Sequence, residues 1–226
     1  MRLLLRFVGP LAALVALLAT FISAQPAPAQ DLDSVLTKLD AASKNFHTTT
    51  ANFEFDTVQT DPIPDTDIQA GTVYYQRNGT SFQMAAHLQK RNDRPAATTY
   101  ILSHGVFRLS DTGKEGDAKT YNQAAKYESY LRLGFGASGA ELREKWNIKY
   151  LGKETIDGIA TDKLELVAKD PNVLKLFVKV TIWLDTARAV SLKQVFDEPD
   201  GTTRTCHYTD LRVNQTLPSG AFSFNK

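Results

Sequence analysis

The residue types that most often carry out chemistry are scattered along this 226-residue chain. Four histidines, His47, His87, His104 and His207, share no spacing that is typical of a metal site. The sequence contains neither G-x-S-x-G nor H-E-x-x-H, and its acidic residues follow polar faces without forming a pair for acid–base catalysis. We therefore expect a protein that is not an enzyme and that uses no metal and no cofactor.

One glycine-rich motif needs a separate explanation. Residues 134–139 have the sequence G-F-G-A-S-G, which matches G-x-G-x-x-G. A dinucleotide site requires that loop between a strand and a helix of a βαβ unit. Here a helix predicted over 123–133 precedes the motif, and capping-box spacing from Ser138 to Glu141 predicts another helix after it. We interpret the motif as a flexible link between two helices, which would suit a movable lid.

The N-terminus has the features of a secretory signal peptide. Arg2 and Arg6 form a basic region, and residues 7–22 are apolar over about 16 positions, fewer than the roughly 20 of a membrane-spanning helix. Candidate cleavage sites follow Ala24 and Ala29. The sequence thus predicts a signal peptide over 1–24, with cleavage as late as 29 as a variant, and a single domain over 30–226. We expect an exported, soluble protein; an uncleaved anchor is the alternative.

Charge and cysteine content narrow the possible functions. Without Arg2 and Arg6, 24 basic residues stand against 25 acidic ones, and a net charge of −1 argues against nucleic-acid binding. Cys206 is the only cysteine, which excludes an internal disulfide. We expect it to be a small buried side chain in a strand.

Residues 71–88 give the clearest structural signal. Asn78-Gly79, a sequence typical of a tight hairpin turn, separates two segments of alternating polarity. This alternation predicts one buried and one solvated face. The buried face covers either a packed core or a ligand.

The rest of the chain follows the same pattern. An amphipathic helix is predicted over 31–46, with Asp31 or Asp33 as its cap. The strands that follow are linked by turns such as Asp157-Gly158 and 198–201. The predicted fold class is α+β, mainly antiparallel β: a sheet of about ten to eleven strands that curves towards a barrel, with its few helices covering one side.

Several stretches resemble the periplasmic outer-membrane lipoprotein carriers, the LolA-like family. Leu39-Asp40 with Phe46-His47 resembles the family's first helix and strand, and 71–77 resembles its strand that ends in an arginine. Residues 101–105 resemble its next hairpin, and 182–224 resemble its closing strands.

This resemblance implies a curved half-barrel sheet with a helical lid over its concave face. It also implies an apolar cavity there that takes the acyl chains of a lipoprotein, or of a related amphiphile, so that the protein carries them towards the outer membrane. Shielding is needed because each exposed CH₂ group costs about 0.8 kcal/mol in water. The implied partners are the lipid cargo, an inner-membrane release complex and an outer-membrane acceptor. We expect a monomer without nucleic acid.

The cavity candidates are apolar side chains of the first half of the sheet and of the lid region, and each could instead belong to an ordinary core. They are Phe53, Phe55, Val73, Tyr75, Phe82, Met84, Leu88, Tyr100, Leu102, Leu131, Leu133, Phe135 and Trp146.

Arg77 is the one charged side chain to which we assign a role. It ends a predicted strand at the rim of the sheet, where its five donors can reach carbonyl groups at the C-terminal ends of lid helices. We expect it to latch the lid over an empty cavity; a solvated surface arginine is the alternative.

The alternative function is a periplasmic lipid- or lipoprotein-sensing or regulatory adaptor of the same fold. Such proteins usually carry an additional domain, and roughly 200 residues give room for one domain. We therefore favour the carrier.

Overall fold

The computed structural model describes residues 29–79, 81–122, 130 and 132–225. The predicted signal peptide, most of the helix predicted over 123–133, and the candidate Leu131 lie outside these residues.

Three α-helices are described: α1 (Ala29–Ser43), α2 (Gly139–Lys145) and α3 (Pro171–Leu174). Helix α1 begins before Asp31, so the prediction of Asp31 or Asp33 as its cap is wrong; Asp31 lies in the first turn, where a negative charge still suits the helix dipole. Helix α2 has the predicted capping box between Ser138 and Glu141.

Alternating polarity and short turns give twelve strands in the described residues. They are β1 (Thr48–Gln59), β2 (Asp65–Asn78), β3 (Ser81–Arg91), β4 (Arg94–Pro95), β5 (Thr99–Ser103), β6 (Val106–Ser110), β7 (Lys119–Tyr121), β8 (Trp146–Ile156), β9 (Ile159–Ala168), β10 (Lys179–Asp185), β11 (Val190–Asp197) and β12 (Thr203–Val213).

All twelve strands belong to one antiparallel sheet with the order β7-β6-β5-β3-β2-β1-β12-β11-β10-β9-β8, and β4 pairs with β3. Strands β7 and β8 lie at opposite ends of this order, so the sheet is open. The predicted class, a curved antiparallel half-barrel with few helices, is confirmed. The twelve strands exceed the predicted ten to eleven, and one of them is the two-residue β4 in the charged segment after β3.

The residues after β12 run back over the convex face. Phe224 packs with Ala85 and Ile101, and the Asn225 backbone pairs with Lys114. The ring nitrogen Nε2 of His87 lies 2.9 Å from the carbonyl oxygen of Ala221. The stretch 222–224, expected as a short last strand, is therefore a packed tail.

The concave face carries two different apolar clusters. One joins α1 and α2 to the inward side chains of β8–β10, among them Leu36, Leu142 and Leu164. The other lies on β1–β3, β5 and β12, where Phe135 is the main contribution from the segment before α2. We call β8–β10 with α1 and α2 the filled half, and β1–β7 with β11 and β12 the cavity half.

Candidate functional site

Cross-strand pairing builds the inner wall of the cavity half in layers. Phe53 of β1 lies beside Tyr208 of β12, and Phe55 lies beside Cys206. Since residues two apart along a strand share a face, Phe53 and Phe55 point the same way as their two partners. This wall continues across β2 and β3, where Val73 is paired with Ala86.

A cavity of about 380 Å³ lies against this wall. Its volume falls within the range of roughly 300–1,000 Å³ that is typical of small-molecule sites. The lining is mostly aromatic and aliphatic: Phe53, Phe55, Gln69, Val73, Tyr75, Met84, Ala86, Tyr100, Phe107, Tyr130, Phe177, Gln194, Phe196, Arg204, Cys206 and Tyr208.

Six of the predicted cavity candidates line this space, and six others occupy different places. The six that line it are Phe53, Phe55, Val73, Tyr75, Met84 and Tyr100. Phe82, Leu102 and Phe135 are buried in the cluster next to the cavity, Leu133 and Trp146 belong to the cluster of the filled half, and Leu88 is buried outside both clusters.

The prediction missed the part of the wall that comes from the C-terminal strands. Arg204, Cys206 and Tyr208 alternate along β12, and Phe196 is paired with Arg204 from β11. The alternation was visible in the sequence. What the sequence did not show is that the last long strand pairs with the first, which places these side chains beside Phe55.

The inner end of the cavity contains a polar cluster. The hydroxyl of Tyr208 donates to Oε1 of Gln194 at 3.2 Å, and Nε2 of Gln194 donates to the carbonyl oxygen of Leu133 at 2.6 Å. Burial raises the pKa of Tyr75 and Tyr208 and raises the pKa of the Cys206 thiol to about 12. All three groups are therefore neutral at ordinary pH.

The lid segment, residues 132–138, closes this end of the cavity. The ring of Phe135 stacks on Tyr75, with centroids 3.9 Å apart, and meets Tyr208 edge to face at 4.9 Å. The backbone N–H of Ser191 donates to Gly134, and that of Gly136 donates to Ala189. The segment is thus hydrogen-bonded to the turn between β10 and β11 and to the start of β11.

The glycines of the G-x-G-x-x-G motif serve close packing. A Cβ atom on Gly136 would lie 2.2 Å from Cδ1 of Phe46, and one on Gly139 would lie 2.2 Å from the carbonyl oxygen of Leu36. Gly134 and Gly136 also have positive φ angles of 79° and 69°. The predicted flexible link is therefore a closely packed connection, because its glycines let the backbone approach α1 and the sheet.

Arg77 lies at the rim and contacts the lid. Its Nη1 donates to the carbonyl oxygen of Gly136 at 2.8 Å and, at 3.5 Å, to that of Ser43, the last residue of α1. A side chain of β2 thereby contacts both the lid segment and a helix end.

The outer end of the cavity has charged side chains, whereas the inner end has neutral ones. Arg204 lines it and forms an ion pair with Glu198, with 2.6 Å between Nε and Oε1. On the neighbouring wall, Nε2 of Gln69 donates to Asp67 at 2.6 Å, and Asp67 accepts from Arg91 at 2.7 Å. The pKa of Asp67 is lowered, first by this hydrogen bond from Arg91.

The described residues contain neither a candidate metal site nor a candidate membrane-spanning helix. No group of three or more His, Cys, Asp and Glu side chains there is placed to hold a metal ion. No described helix combines the length and apolar character that a bilayer span needs.

This chain resembles known proteins in structure but matches none of them in sequence. No protein-family model and no curated protein matches the chain in sequence. The structure of MucB matches with a TM-score of 0.51 and 12% identity, over 87% of this chain and 63% of the MucB chain. This chain thus spans less than two thirds of MucB. The Pseudomonas aeruginosa MucA/MucB complex gives a TM-score of 0.52 at 11% identity, over 86% of this chain and 61% of that chain.

Two further structures extend this likeness. An uncharacterized conserved protein from Thermus thermophilus matches with a TM-score of 0.51 and 10% identity, over 85% of this chain and 93% of that chain. A LolA superfamily protein from Nitrosomonas europaea matches with a lower TM-score of 0.41 and 14% identity, over 85% and 97%. At such identities the likeness concerns the fold alone. The matches to MucB and to the Thermus protein agree with the open antiparallel sheet described above and with the predicted fold class.

Proposed function

We propose that this protein is a periplasmic, non-enzymatic carrier that shields acyl chains of lipoproteins, or of a related amphiphile, and delivers them towards the outer membrane. The observation that carries the proposal is the cavity of about 380 Å³ on the concave face, with its aromatic and aliphatic wall. A chain held against this wall is removed from water, at a gain of about 0.8 kcal/mol per CH₂ group.

The wall side chains support a binding cavity over an ordinary core. Phe53, Phe55, Ala86 and Phe107 are only partly buried although they sit on the inner face of the sheet. Protein interiors are normally packed without voids much larger than a water molecule. Aromatic side chains left half-covered around such a volume favour an occupant from outside the chain.

The contacts of the lid segment support the other part of the proposal, the release of the cargo. Arg77 contacts Gly136 and the end of α1, and in this proposal it holds the lid closed over an empty cavity. An inner-membrane release complex would load the carrier and an outer-membrane acceptor would unload it, and the carrier itself acts as a monomer.

The proposal is tested by filling the cavity from within. Ala86 lines the cavity and is half-buried, so Ala86→Phe places a ring where the ligand would lie. Ala187→Phe makes the same substitution at an exposed turn position and serves as the matched control. Binding of a fluorescent fatty acid, measured by displacement with an unlabelled one, should be weakened at least tenfold in Ala86→Phe and unchanged in Ala187→Phe.

Native mass spectrometry of protein purified from its source complements this test, because it would identify the cargo. Bound acylated lipoprotein or lipid is the expected result. Absence of binding in the parent protein, or equal binding in Ala86→Phe, would contradict the proposal.

A regulatory adaptor remains the second candidate, and one observation favours it. MucB, whose structure matches this fold, has been solved in complex with MucA. A role of this kind would require a protein partner whose binding changes when the cavity is occupied. Transfer of cargo to acceptor membranes by the purified protein alone would favour the carrier over the adaptor.

A further inference from the structure

One lining side chain differs from the rest in charge. Among the described residues around the cavity, Arg204 is the only one that carries a formal charge; the others are apolar, aromatic, amide or thiol side chains. The cavity wall therefore has one positively charged group, the guanidinium of Arg204.

The strand register places this charge at one end of the cavity. Along β12, Tyr208, Cys206 and Arg204 line the space in that order and are paired with Phe53, Phe55 and Thr57 of β1. The distance from Tyr208 to Arg204 along the strand is roughly 13 Å. The inner end has the neutral Tyr208 and Gln194, whereas Arg204 is half-buried at the outer end.

Arg204 also has hydrogen-bonding capacity to spare. Its one ion pair among the described residues joins Nε to Glu198, and no described group accepts a hydrogen bond from its two Nη atoms. The side chain of Arg204 is 41% exposed and that of Glu198 16%. Two terminal nitrogens with four donors thus remain beside the cavity, in the fork geometry that suits a carboxylate or phosphate.

We propose that the ligand of this cavity has an anionic headgroup, a carboxylate or a phosphate, that binds Arg204 at the outer end while its alkyl chain extends inwards along Phe55 and Phe53. The inference rests on the proposed lipid-binding function and narrows its cargo from any acyl chain to an anionic amphiphile. Glu198 competes with such a headgroup for the guanidinium, which keeps the binding reversible.

The test compares three ligands with the same alkyl chain, dodecanoate, dodecyl phosphate and dodecanol, by isothermal titration below the micelle concentrations of the two anions and below the solubility limit of dodecanol. We expect at least one of the two anions to bind about tenfold tighter than the alcohol, because a charge-assisted bond is added to the same buried chain. Comparing the two anions then distinguishes a fatty acid from a phospholipid as the source of the headgroup.

Three variants and one control assign this preference to Arg204. In Arg204→Gln the two anions should bind no tighter than dodecanol, while Arg204→Lys should retain part of the preference. Glu198→Gln should strengthen binding of the anions alone. Arg212→Gln removes an exposed arginine of the same strand, outside the cavity, and should have no effect. Urea unfolding of each variant checks that the fold is intact.

The outcomes separate this inference from the proposed function. If dodecanol binds as tightly as both anions, or if the preference persists in Arg204→Gln, the headgroup inference is wrong while the lipid cavity stands. If none of the three ligands binds the parent protein, the lipid cavity itself is contradicted.

Discussion

In the filled half, helices α1 and α2 and their neighbours cover the concave face so completely that Leu164, Leu166, Val180 and Ile182 have no exposed surface. In the cavity half, Phe53 and Phe55 lie on the same face of the same sheet and are only partly covered. The two halves use the same alternation of apolar side chains. The halves differ in how much of the sheet other elements cover. Helices cover the filled half, whereas Phe135 is the main side chain that the lid segment packs against the cavity half.

This difference shows that an apolar sheet face does not by itself reveal whether it holds a core or a ligand. In the filled half, stability comes from close packing of side chains at native density. In the cavity half, part of that packing has been replaced by space that a ligand can fill. Substitutions should therefore affect mainly stability in one half and mainly binding in the other.

The largest effect is expected from a truncation in the filled half. Leu166→Ala should lower the free energy of unfolding by about 2–5 kcal/mol, because it leaves a cavity in a fully buried cluster. Phe55→Ala, at the partly exposed wall, should cost about 1 kcal/mol but weaken fatty-acid binding. Urea unfolding and ligand titration of both variants check this. Equal losses of stability would remove the distinction between the halves.

The next effect concerns Arg77 of the cavity half, which is hydrogen-bonded to the lid segment and to the end of α1. Arg77→Leu should remove roughly 1.5–3 kcal/mol of charge-assisted bonding from the closed lid. The lid then opens more readily. Because the empty, closed form has lost stability, the loaded form is favoured relative to it, and transfer of the cargo to an acceptor slows. Transfer of the same acylated cargo to acceptor membranes is the measurement, with the exposed Arg94→Leu as control. Equal transfer together with equal hydrogen exchange in the lid would make Arg77 a surface residue.

A comparable change tests the lid segment itself. Gly136→Ala adds a Cβ atom that would meet Phe46 at 2.2 Å and must adopt a φ of 69°, so it should cost about 1–3 kcal/mol and loosen the segment around Phe135. Gly116→Ala, where the added atom meets open space, is the control. Thermal unfolding and hydrogen exchange of residues 132–138 report the effect. If Gly136→Ala leaves thermal stability and hydrogen exchange unchanged, the flexible link predicted from the sequence would be correct after all.

The last effect is absent at neutral pH and appears only at alkaline pH. Burial raises the pKa of Cys206 to about 12 from an ordinary value of 9.0, so the neutral thiol stabilises the fold fully below about pH 9. This stabilisation is lost as the pH rises from there towards 12, by up to about 1.4 kcal/mol per pH unit. Cys206→Ala should show a shallower loss of unfolding free energy between about pH 8.5 and 11. Parallel curves for the two proteins would exclude this contribution.

The sequence predicts those features of the structure that depend on residues close together in the chain. The hairpin of β2 and β3 follows from Asn78-Gly79 and from alternation on either side of it, and the start of α2 follows from Ser138 and Glu141. These features need only local hydrogen bonds and turn geometry. The same signals predicted an open antiparallel sheet with few helices.

The cavity could be predicted only in part because half of its wall depends on a distant pairing. Strand β1 pairs with β12, which brings Cys206 and Arg204 next to Phe55 and Thr57 across about 150 residues of sequence. No local pattern specifies such a partner. Leu133 and Trp146 were misplaced for a related reason, since alternation does not tell which cluster a buried side chain joins.

The central claim is that a ligand occupies the cavity half and leaves the filled half unchanged. A crystal structure of the protein loaded with a fatty acid brominated near its methyl end would test this most directly, because anomalous scattering locates the bromine. We predict bromine density at the inner end of the cavity, beside Phe53 and Tyr208. Bromine between α1 and the strands β9 and β10, or a loaded crystal without ordered bromine, would contradict the account.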